Sequence, residues 1–451
     1  MVTVVTQAAF VASFATRAGM DMAVLRDVAV EVGQGRWNRI RVPVARAATI
    51  AAIVSALIGL AAYAGADAIR SLFSIPDDLG KWVVESAAVG LPFLALANVW
   101  LSATRGLKIM RYTLYVFWAG QPLLWVVLIL GGWTISKTTW MTVLAYSLSW
   151  AVATVAAGYF WRRESRGWDA APMEPGGMSR LARYAGPRAP AALFSQLLFW
   201  TDLFVLTRYA SDAEVGLYSA VLRAGQVIVL FLTSVSLMFS PYVADLHNRG
   251  ETARLDRLFK TLTRWTLAAT IPLFLVLAIA PDTALRIFGD DFSGGETALL
   301  VVLAGQLVNI ATGSVGFVLI MVGRTGWDLV VYAASLVVNL VLAFWLCPRY
   351  GIEGAAIANA VTFALSKWAR LALVRRFVHI QPYDRDYRRL LAPTVLAGAV
   401  MVLVHRVVES GWVVDLTATT LAGVVTYSGV YLLVGLTPQE RAGVSKLLAR
   451  R

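Results

Sequence analysis

Four charged side chains lie inside strongly apolar stretches of the sequence and are candidates for chemistry. Arg17 and Asp21 stand four residues apart in the first stretch, and Asp202 and Arg223 lie in two later ones. A charged group inside a bilayer-spanning helix is costly, so it is a functional candidate by default. Guanidinium groups bind phosphate oxygens bidentately, while carboxylates can orient arginines, bind sugar hydroxyls or titrate in ion coupling. These residue types predict a polar cavity for an anionic substrate.

Four polar residues are secondary candidates for the same cavity. Ser195 and Gln226 stand at helical spacing from the aspartate of the sixth apolar stretch and from the arginine of the seventh. Gln306 and Asn309 form a further polar stripe on the ninth stretch. Helix packing through interhelical hydrogen bonds is the alternative for this last pair.

Internal salt bridges are the structural alternative for the charged residues. Arg17 and Asp21 share a helix face at this spacing and can neutralise each other. Asp202 and Arg223 could likewise form a pair that only holds two helices together. The sequence alone leaves both interpretations open.

The sequence gives no sign of catalysis, a metal ion or a cofactor. Cys347 is the single cysteine, and the three histidines, His247, His379 and His405, stand far apart. Such spacing does not form a metal site. Serine-hydrolase, metalloprotease and phosphate-loop signatures are absent. We therefore predict a protein that is not an enzyme, with no catalytic residues, no metal and no cofactor.

The composition excludes a soluble protein. Of 451 residues, 58% are hydrophobic and 15% are charged, whereas soluble domains have about 45–50% apolar and about 25% charged residues. Apolar runs near 20 residues match the length of transmembrane helices. They predict an all-α polytopic membrane protein with thirteen spans, in which prolines 92, 122, 190, 241 and 272 introduce kinks. The spans are 3–25, 47–66, 82–104, 112–131, 139–160, 189–208, 215–243, 265–285, 297–322, 328–347, 354–374, 391–408 and 416–436.

The charge of +13 follows the predicted topology. Most of the 40 lysine and arginine residues fall in alternate loops or near the span ends beside them, as Lys367 and Arg370 do, whereas Arg17 and Arg223 lie inside spans. This asymmetry places the C-terminus in the cytoplasm and the N-terminus outside. Because the basic stretches are short loops between helices, the charge does not indicate a nucleic-acid partner.

Polar breaks divide the chain into lobes. We predict an N-terminal lobe of five helices (1–160), a cytoplasmic linker (161–180), a C-terminal lobe of six helices (181–380) and a terminal helix pair with a cytoplasmic tail (381–451). The linker is rich in arginine, proline and glycine.

A weak internal repeat relates the two lobes. Residues 28–39 match residues 243–254 at four positions, each time at a helix end before a basic loop. This pattern predicts lobes related by a pseudo-two-fold axis along the membrane normal. It also leaves the first lobe one helix short of the second, so we expect an N-terminal helix to be missing from the chain.

Several stretches resemble bacterial oligosaccharide and polysaccharide flippases, which belong to the multidrug/oligosaccharidyl-lipid/polysaccharide exporter superfamily. The resemblance is most specific from Thr201 to Leu371 and rests on the following segments: TDLFVLTRYASDAEVGLYSAVLR (201–223), PYVADLHNRGETARLDRLFKTLTRW (241–265), RIFGDDFSGGETALLVVLAGQLVNIATGSVGFVLIMVGR (286–324) and CPRYGIEGAAIANAVTFALSKWARL (347–371).

The resemblance implies a fold and a function. It implies fourteen helices, and the helices that line the family's cavity match the spans carrying Arg17, Asp21, Asp202 and Arg223. It implies that an undecaprenyl-pyrophosphate-linked oligosaccharide crosses the bacterial inner membrane by alternating access for surface polysaccharide biosynthesis. Membrane lipid and partner polymerases and glycosyltransferases are expected. A cation-coupled multidrug exporter and a lipid II flippase of the same superfamily remain alternatives. A membrane-embedded glycosyltransferase is disfavoured by the short outer loops.

Overall fold

The computed structural model describes residues 2–72, 81–292, 294–408, 411–438 and 440–441, which form helices joined by short turns. Residues 442–451 of the predicted cytoplasmic tail lie outside this part of the chain. The helices are α1 (Val2–Thr16), α2 (Met20–Gly33), α3 (Arg41–Ala64), α4 (Ala66–Leu72), α5 (Trp82–Gly106), α6 (Arg111–Gly132, with a π-helical stretch at Leu114–Gly120), α7 (Thr139–Glu164), α8 (Gly177–Leu206), α9 (Asp212–Val227), α10 (Leu230–Asn248), α11 (Thr252–Ile279), α12 (Pro281–Leu285), α13 (Glu296–Ala311), α14 (Val315–Met321), α15 (Thr325–Val378), α16 (Leu391–Val407) and α17 (Trp412–Val430).

The prediction of an all-α polytopic membrane fold is confirmed. Within the described residues, nine helices are long and apolar enough to cross a membrane, and three bent helix pairs raise the number to twelve. The longest helix, α15, contains two predicted spans, 328–347 and 354–374, and leaves helical geometry between them at Gly351 (φ 53°). Each of the thirteen predicted spans falls on one helix, on part of one helix or on two consecutive helices.

Three helix pairs bend at short breaks that contain no proline. The pairs α1–α2, α9–α10 and α13–α14 bend by 53°, 50° and 43°. The first break has a positive φ at Ala18 and Gly19, and the third has one at Gly313. A Cβ on Gly19 would lie 2.5 Å from the Ala185 carbonyl oxygen. Glycine is thus required there both for its conformation and for close backbone approach.

The chain forms two compact units, and each unit is composed of three separate segments of the chain. Unit 1 contains Met1–Leu197, Met238–Glu251 and Leu319–Tyr332, and unit 2 contains Leu198–Leu237, Thr252–Val318 and Ala333–Arg451. The lobes predicted from the sequence, 1–160 and 181–380, have different boundaries from these two units. The predicted division into lobes remains a prediction.

Helix α5 is the centre of unit 1, where it packs against α1, α2, α3 and α7. Its many small residues allow this close packing, as is usual between membrane helices. A Cβ on Gly90 would lie 2.6 Å from Ser147 Oγ, and one on Gly106 would lie 2.7 Å from Val28 Cβ. The helix is therefore buried along most of its length.

Unit 2 is built around α9, α11 and α13, with α16 and α17 packed against α11. Its apolar core includes Tyr218, Leu299 and Leu303, all fully buried. A Cβ on Gly305 would lie 2.6 Å from the Ala360 Cα, so α13 and α15 pack backbone to backbone at this point. This core positions the polar residues of α8, α9 and α13.

The predicted linker packs on unit 1. The Ala171 amide donates to the Asn38 carbonyl at 2.9 Å. Glu174 pairs with Arg39 and with Arg180. The hydrogen bond from Arg180, followed by the charge of Arg39, lowers the pKa of the Glu174 carboxyl. These contacts hold the linker against the turn that follows α2.

Candidate substrate-binding residues

Arg17 lies at the break between α1 and α2 rather than inside a continuous helix. The sequence prediction of one span over residues 3–25 was wrong on this point, because α1 ends at Thr16 and two positive-φ residues follow Arg17. Asp21 lies in the first turn of α2, where the helix dipole favours a carboxylate. The two side chains nevertheless meet, with Arg17 Nη1 at 3.5 Å from Asp21 Oδ2.

Polar and aromatic groups complete the surroundings of Arg17. Its Nη2 donates to Ser13 Oγ at 2.8 Å, and its guanidinium lies 4.5 Å from the centroid of the Phe14 ring. Its Nε has no hydrogen-bond partner among the described residues. Arg17 is only 5% exposed, so most of its binding capacity is occupied by the protein itself.

Two further arginines of unit 1, one buried and one half-buried, were not predicted as candidates from the sequence. Arg105, in the last turn of α5, is 6% exposed. Arg188, on α8, pairs with Asp328 at 3.2 Å, and the Asp328 side chain is fully buried. Both arginines were counted as loop charges because they flank apolar runs; Arg105 stands one residue beyond the predicted span 82–104. Their burial comes from tertiary packing and has no signal in a hydropathy pattern.

Asp202 is the centre of a buried hydrogen-bond network in unit 2. Its Oδ2 accepts from Tyr218 Oη at 2.5 Å and from Asn359 Nδ2 at 2.8 Å. Asp202 is fully buried, and the network joins α8, α9 and α15. The alternative of an Asp202–Arg223 salt bridge is wrong, since the carboxylate is held by a hydroxyl and an amide instead.

Asp202→Ala is expected to lower the thermal unfolding temperature of the purified protein. The change leaves the Tyr218 hydroxyl and the Asn359 amide without their acceptor, and each unsatisfied buried group costs about 1–3 kcal/mol. Tyr218→Phe removes one donor and should cost less. An unchanged unfolding temperature for Asp202→Ala together with lost transport would contradict this packing role.

Arg223 lies on α9, a helix that is capped at its N-terminus and packed against the core of unit 2. A capping box begins the helix, with Ser211 and Glu214 exchanging hydrogen bonds between side chains and backbone amides. Such a box satisfies two orphan backbone donors. One face of α9 is buried in the core of unit 2 and comprises Tyr218, Ala220, Val221, Leu222, Ala224 and Gly225.

The opposite side of α9 carries a polar stripe. Arg223 and Gln226 are exposed, and Ser219 is half-buried, as the helical spacing predicts. Arg223 forms no ion pair or hydrogen bond with any residue that the structure describes. An arginine at the centre of a lipid-facing helix costs about 2.5–3.5 kcal/mol on insertion scales. This face of α9 is therefore suited to water or to an anionic ligand rather than to hydrocarbon.

The remaining secondary candidates are engaged locally. The Ser195 hydroxyl donates to the Ala192 carbonyl of its own helix at 2.7 Å. Asn309 Nδ2 donates to Gln306 Oε1 at 2.9 Å, and both side chains are buried. Asn309 Oδ1 keeps an open acceptor position within the described part of the chain. Among the residues that the structure describes, no three His, Cys, Asp or Glu side chains form a group that could hold a metal ion.

Family models identify the chain. The model described as polysaccharide biosynthesis protein matches residues 1–247, more than half of the sequence. The chain belongs to the polysaccharide biosynthesis protein family. A second model, MatE, matches residues 187–345. The resemblance to oligosaccharide flippases of the multidrug/oligosaccharidyl-lipid/polysaccharide exporter superfamily is thereby confirmed.

Curated relatives of this polysaccharide biosynthesis family member come from Haloferax volcanii. One is named probable low-salt glycan biosynthesis flippase Agl15, at 23% identity over 40% of this chain and 39% of the relative. The other is named probable flippase AglR, at 24% identity over 55% of this chain and 53% of the relative. The matches thus span about two fifths to one half of the relatives' lengths.

Solved structures show the same fold in the superfamily. A MOP superfamily transporter from Pyrococcus furiosus has a TM-score of 0.68 at 14% identity, covering 84% of this chain and 87% of that one. The Vibrio cholerae MATE transporter VcmN in its bent form has a TM-score of 0.65 at 14% identity, covering 83% and 88%. At this identity the similarity establishes the fold of this family member and nothing further.

Proposed function

We propose that the protein is a flippase that moves an undecaprenyl-pyrophosphate-linked oligosaccharide across the membrane by alternating access, for surface polysaccharide biosynthesis. Membership of the polysaccharide biosynthesis family supports this proposal, as do relatives named as probable flippases. The lipid tail stays in the bilayer while the anionic headgroup crosses along polar side chains.

The exposed arginine of α9 carries the proposal. Arg223 stands within a helix pair apolar enough to span the membrane, and no described residue neutralises it. A guanidinium offers a planar fork to two phosphate oxygens. Arg17 has the same chemistry but is occupied by Asp21 and Ser13, so Arg223 takes the main role in headgroup binding. Gln226 extends this binding surface toward sugar hydroxyls.

We place the flippase in the bacterial cytoplasmic membrane with its C-terminus in the cytoplasm. The bias of arginine and lysine toward alternate loops supports this orientation. Glycosyltransferases on the cytoplasmic side would supply the lipid-linked glycan, and a polymerase on the outer side would consume it.

A cation-coupled multidrug exporter is the second candidate function. The MatE match and the similarity to MATE structures favour it. A cavity for cationic drugs would favour acidic groups, whereas the exposed charged group in the middle of the membrane-spanning pair α9–α10 is an arginine, Arg223; the exposed acids of α9, Asp212 and Glu214, lie in its first turn. A lipid II flippase would also bind a lipid diphosphate and differs from the main proposal in the glycan.

Complementation tests these candidates against one another. The chain is expressed in a strain that lacks its oligosaccharide flippase, in a strain depleted of its lipid II flippase and in a drug-sensitive exporter mutant. We expect restored surface polysaccharide in the first strain only. Drug resistance without polysaccharide would favour the exporter, and rescue of growth in the second strain would favour lipid II.

A further inference from the structure

Arg105 is a buried cation that has no carboxylate partner among the residues that the structure describes. Its side chain forms one hydrogen bond, from Nη2 to Ser102 Oγ of the preceding helical turn. Its Nε has no partner, and no ion pair to Arg105 occurs among the described residues. The residue is 6% exposed, so bulk water does not replace the missing contacts. This combination is rare, because buried arginines are almost always paired.

The neighbouring charges do not balance Arg105. It lies within electrostatic reach of Asp21 and Arg17, and Asp21 already pairs with Arg17. Arg188, a half-buried arginine of the same unit, has its own partner in Asp328. The cluster of Arg17, Asp21 and Arg105 therefore has two positive charges and one negative charge.

A net positive charge in a buried cluster lowers the stability of the protein unless a further anion compensates it. Arg105 stands in the last turn of α5, so the carbonyl end of that helix faces its charge. This helix end is equivalent to only about half a negative charge, and it therefore offsets only part of the excess. Structural demands alone would select a neutral side chain here. Ionisable groups inside membrane-spanning segments are costly, and they mark substrate or ion pathways.

We propose that Arg105, with the free Nε of Arg17, binds a diphosphate anion, which is the group that balances the cluster. The assignment of that anion to the headgroup of the lipid-linked substrate rests on the proposed function. The same chemistry would accept inorganic pyrophosphate. Arg105 would thereby be a headgroup-binding residue of unit 1.

Stability without ligand gives the first test. Thermal unfolding in nanodiscs is compared for three purified full-length proteins: wild type, Arg105→Gln and the control Arg163→Gln. The control removes an exposed arginine. We expect Arg105→Gln to unfold at the same or a higher temperature than wild type, since it removes an uncompensated buried charge. A marked decrease, absent in the control, would show that Arg105 is structural and would overturn the proposal.

Binding gives the second test, with undecaprenyl pyrophosphate, undecaprenol and inorganic pyrophosphate as probes. We expect Arg105→Gln to bind undecaprenyl pyrophosphate at least 10-fold more weakly than wild type and Arg163→Gln, and all three to bind undecaprenol equally. Arg105→Lys keeps the charge but loses the planar fork of the guanidinium, so we expect an intermediate loss of binding; binding equal to that of wild type would contradict bidentate recognition by Arg105.

The outcomes separate this inference from the proposed function. Equal binding of undecaprenyl pyrophosphate by wild type and Arg105→Gln overturns the role of Arg105 alone. Wild type that does not bind this lipid overturns the proposed function as well. Binding of inorganic pyrophosphate alone, dependent on Arg105, would retain the anion site and overturn its assignment to the lipid headgroup.

Discussion

Arg223→Ala is expected to reduce transport of the lipid-linked oligosaccharide by about 10- to 100-fold. Hydrogen bonds to charged groups contribute about 1.5–3 kcal/mol each, and about 1.4 kcal/mol corresponds to a factor of ten. Arg223 is exposed and forms no ion pair within the described part of the chain, so its loss leaves no buried group unpaired. The measurement is surface polysaccharide in the complemented flippase-deficient strain, normalised to the amount of protein in the membrane.

Arg208→Ala is the matched control for this prediction. Arg208 is also an exposed arginine of unit 2, but it lies in the turn after α8 rather than in a helix. Its removal changes the net charge equally and should leave transport within about twofold. Full polysaccharide production by the Arg223→Ala variant would remove the main support for headgroup binding on α9.

Asp21→Asn is expected to destabilise the protein by about 3–5 kcal/mol, the range found when one partner of a buried ion pair is removed. Asp21 is the carboxylate that pairs with Arg17 and lies within reach of Arg105. Without it the cluster contains two arginines and no counter-charge. Thermal and denaturant unfolding of the purified protein measure the loss, with the exposed Asp169→Asn as control.

The double variant Asp21→Asn with Arg105→Gln tests whether the expected loss of stability comes from the unbalanced charge of the cluster. Residues that share one electrostatic network are not additive. Removing Arg105 lowers the excess charge that the asparagine creates, so the double variant should be more stable than Asp21→Asn alone. Additive effects would show that the three side chains of the cluster do not interact.

The membrane fold could be predicted because its determinants are local. Runs of about 20 apolar residues specify helix positions, and the distribution of basic residues specifies the expected orientation. The same local signals failed at the bends. Pro92 and Pro272 lie inside long helices, where the kinks expected from the sequence remain a prediction. The breaks at Ala18, Gly19 and Gly313 arise from positive φ angles.

The candidate residues were partly predictable for the same reason. Arg17 and Asp21 meet because their spacing in sequence brings them together even across a helix break. The partners of Asp202 come from two other helices and could not be inferred from spacing. Arg105 lies at the boundary of an apolar run, and only the packing of α5 against its neighbours reveals that it is buried. Charges inside spans are visible in sequence, whereas charges at span ends require the tertiary structure.

A reconstituted flipping measurement tests the central claim most directly. The purified protein is placed in liposomes that contain a fluorescent undecaprenyl-pyrophosphate-linked oligosaccharide, and the fraction of label reached by a membrane-impermeant quencher is followed over time. We predict that wild type moves the lipid between leaflets and that Arg223→Ala does so about 10- to 100-fold more slowly. Wild-type liposomes that show no faster transfer than protein-free liposomes would contradict the account.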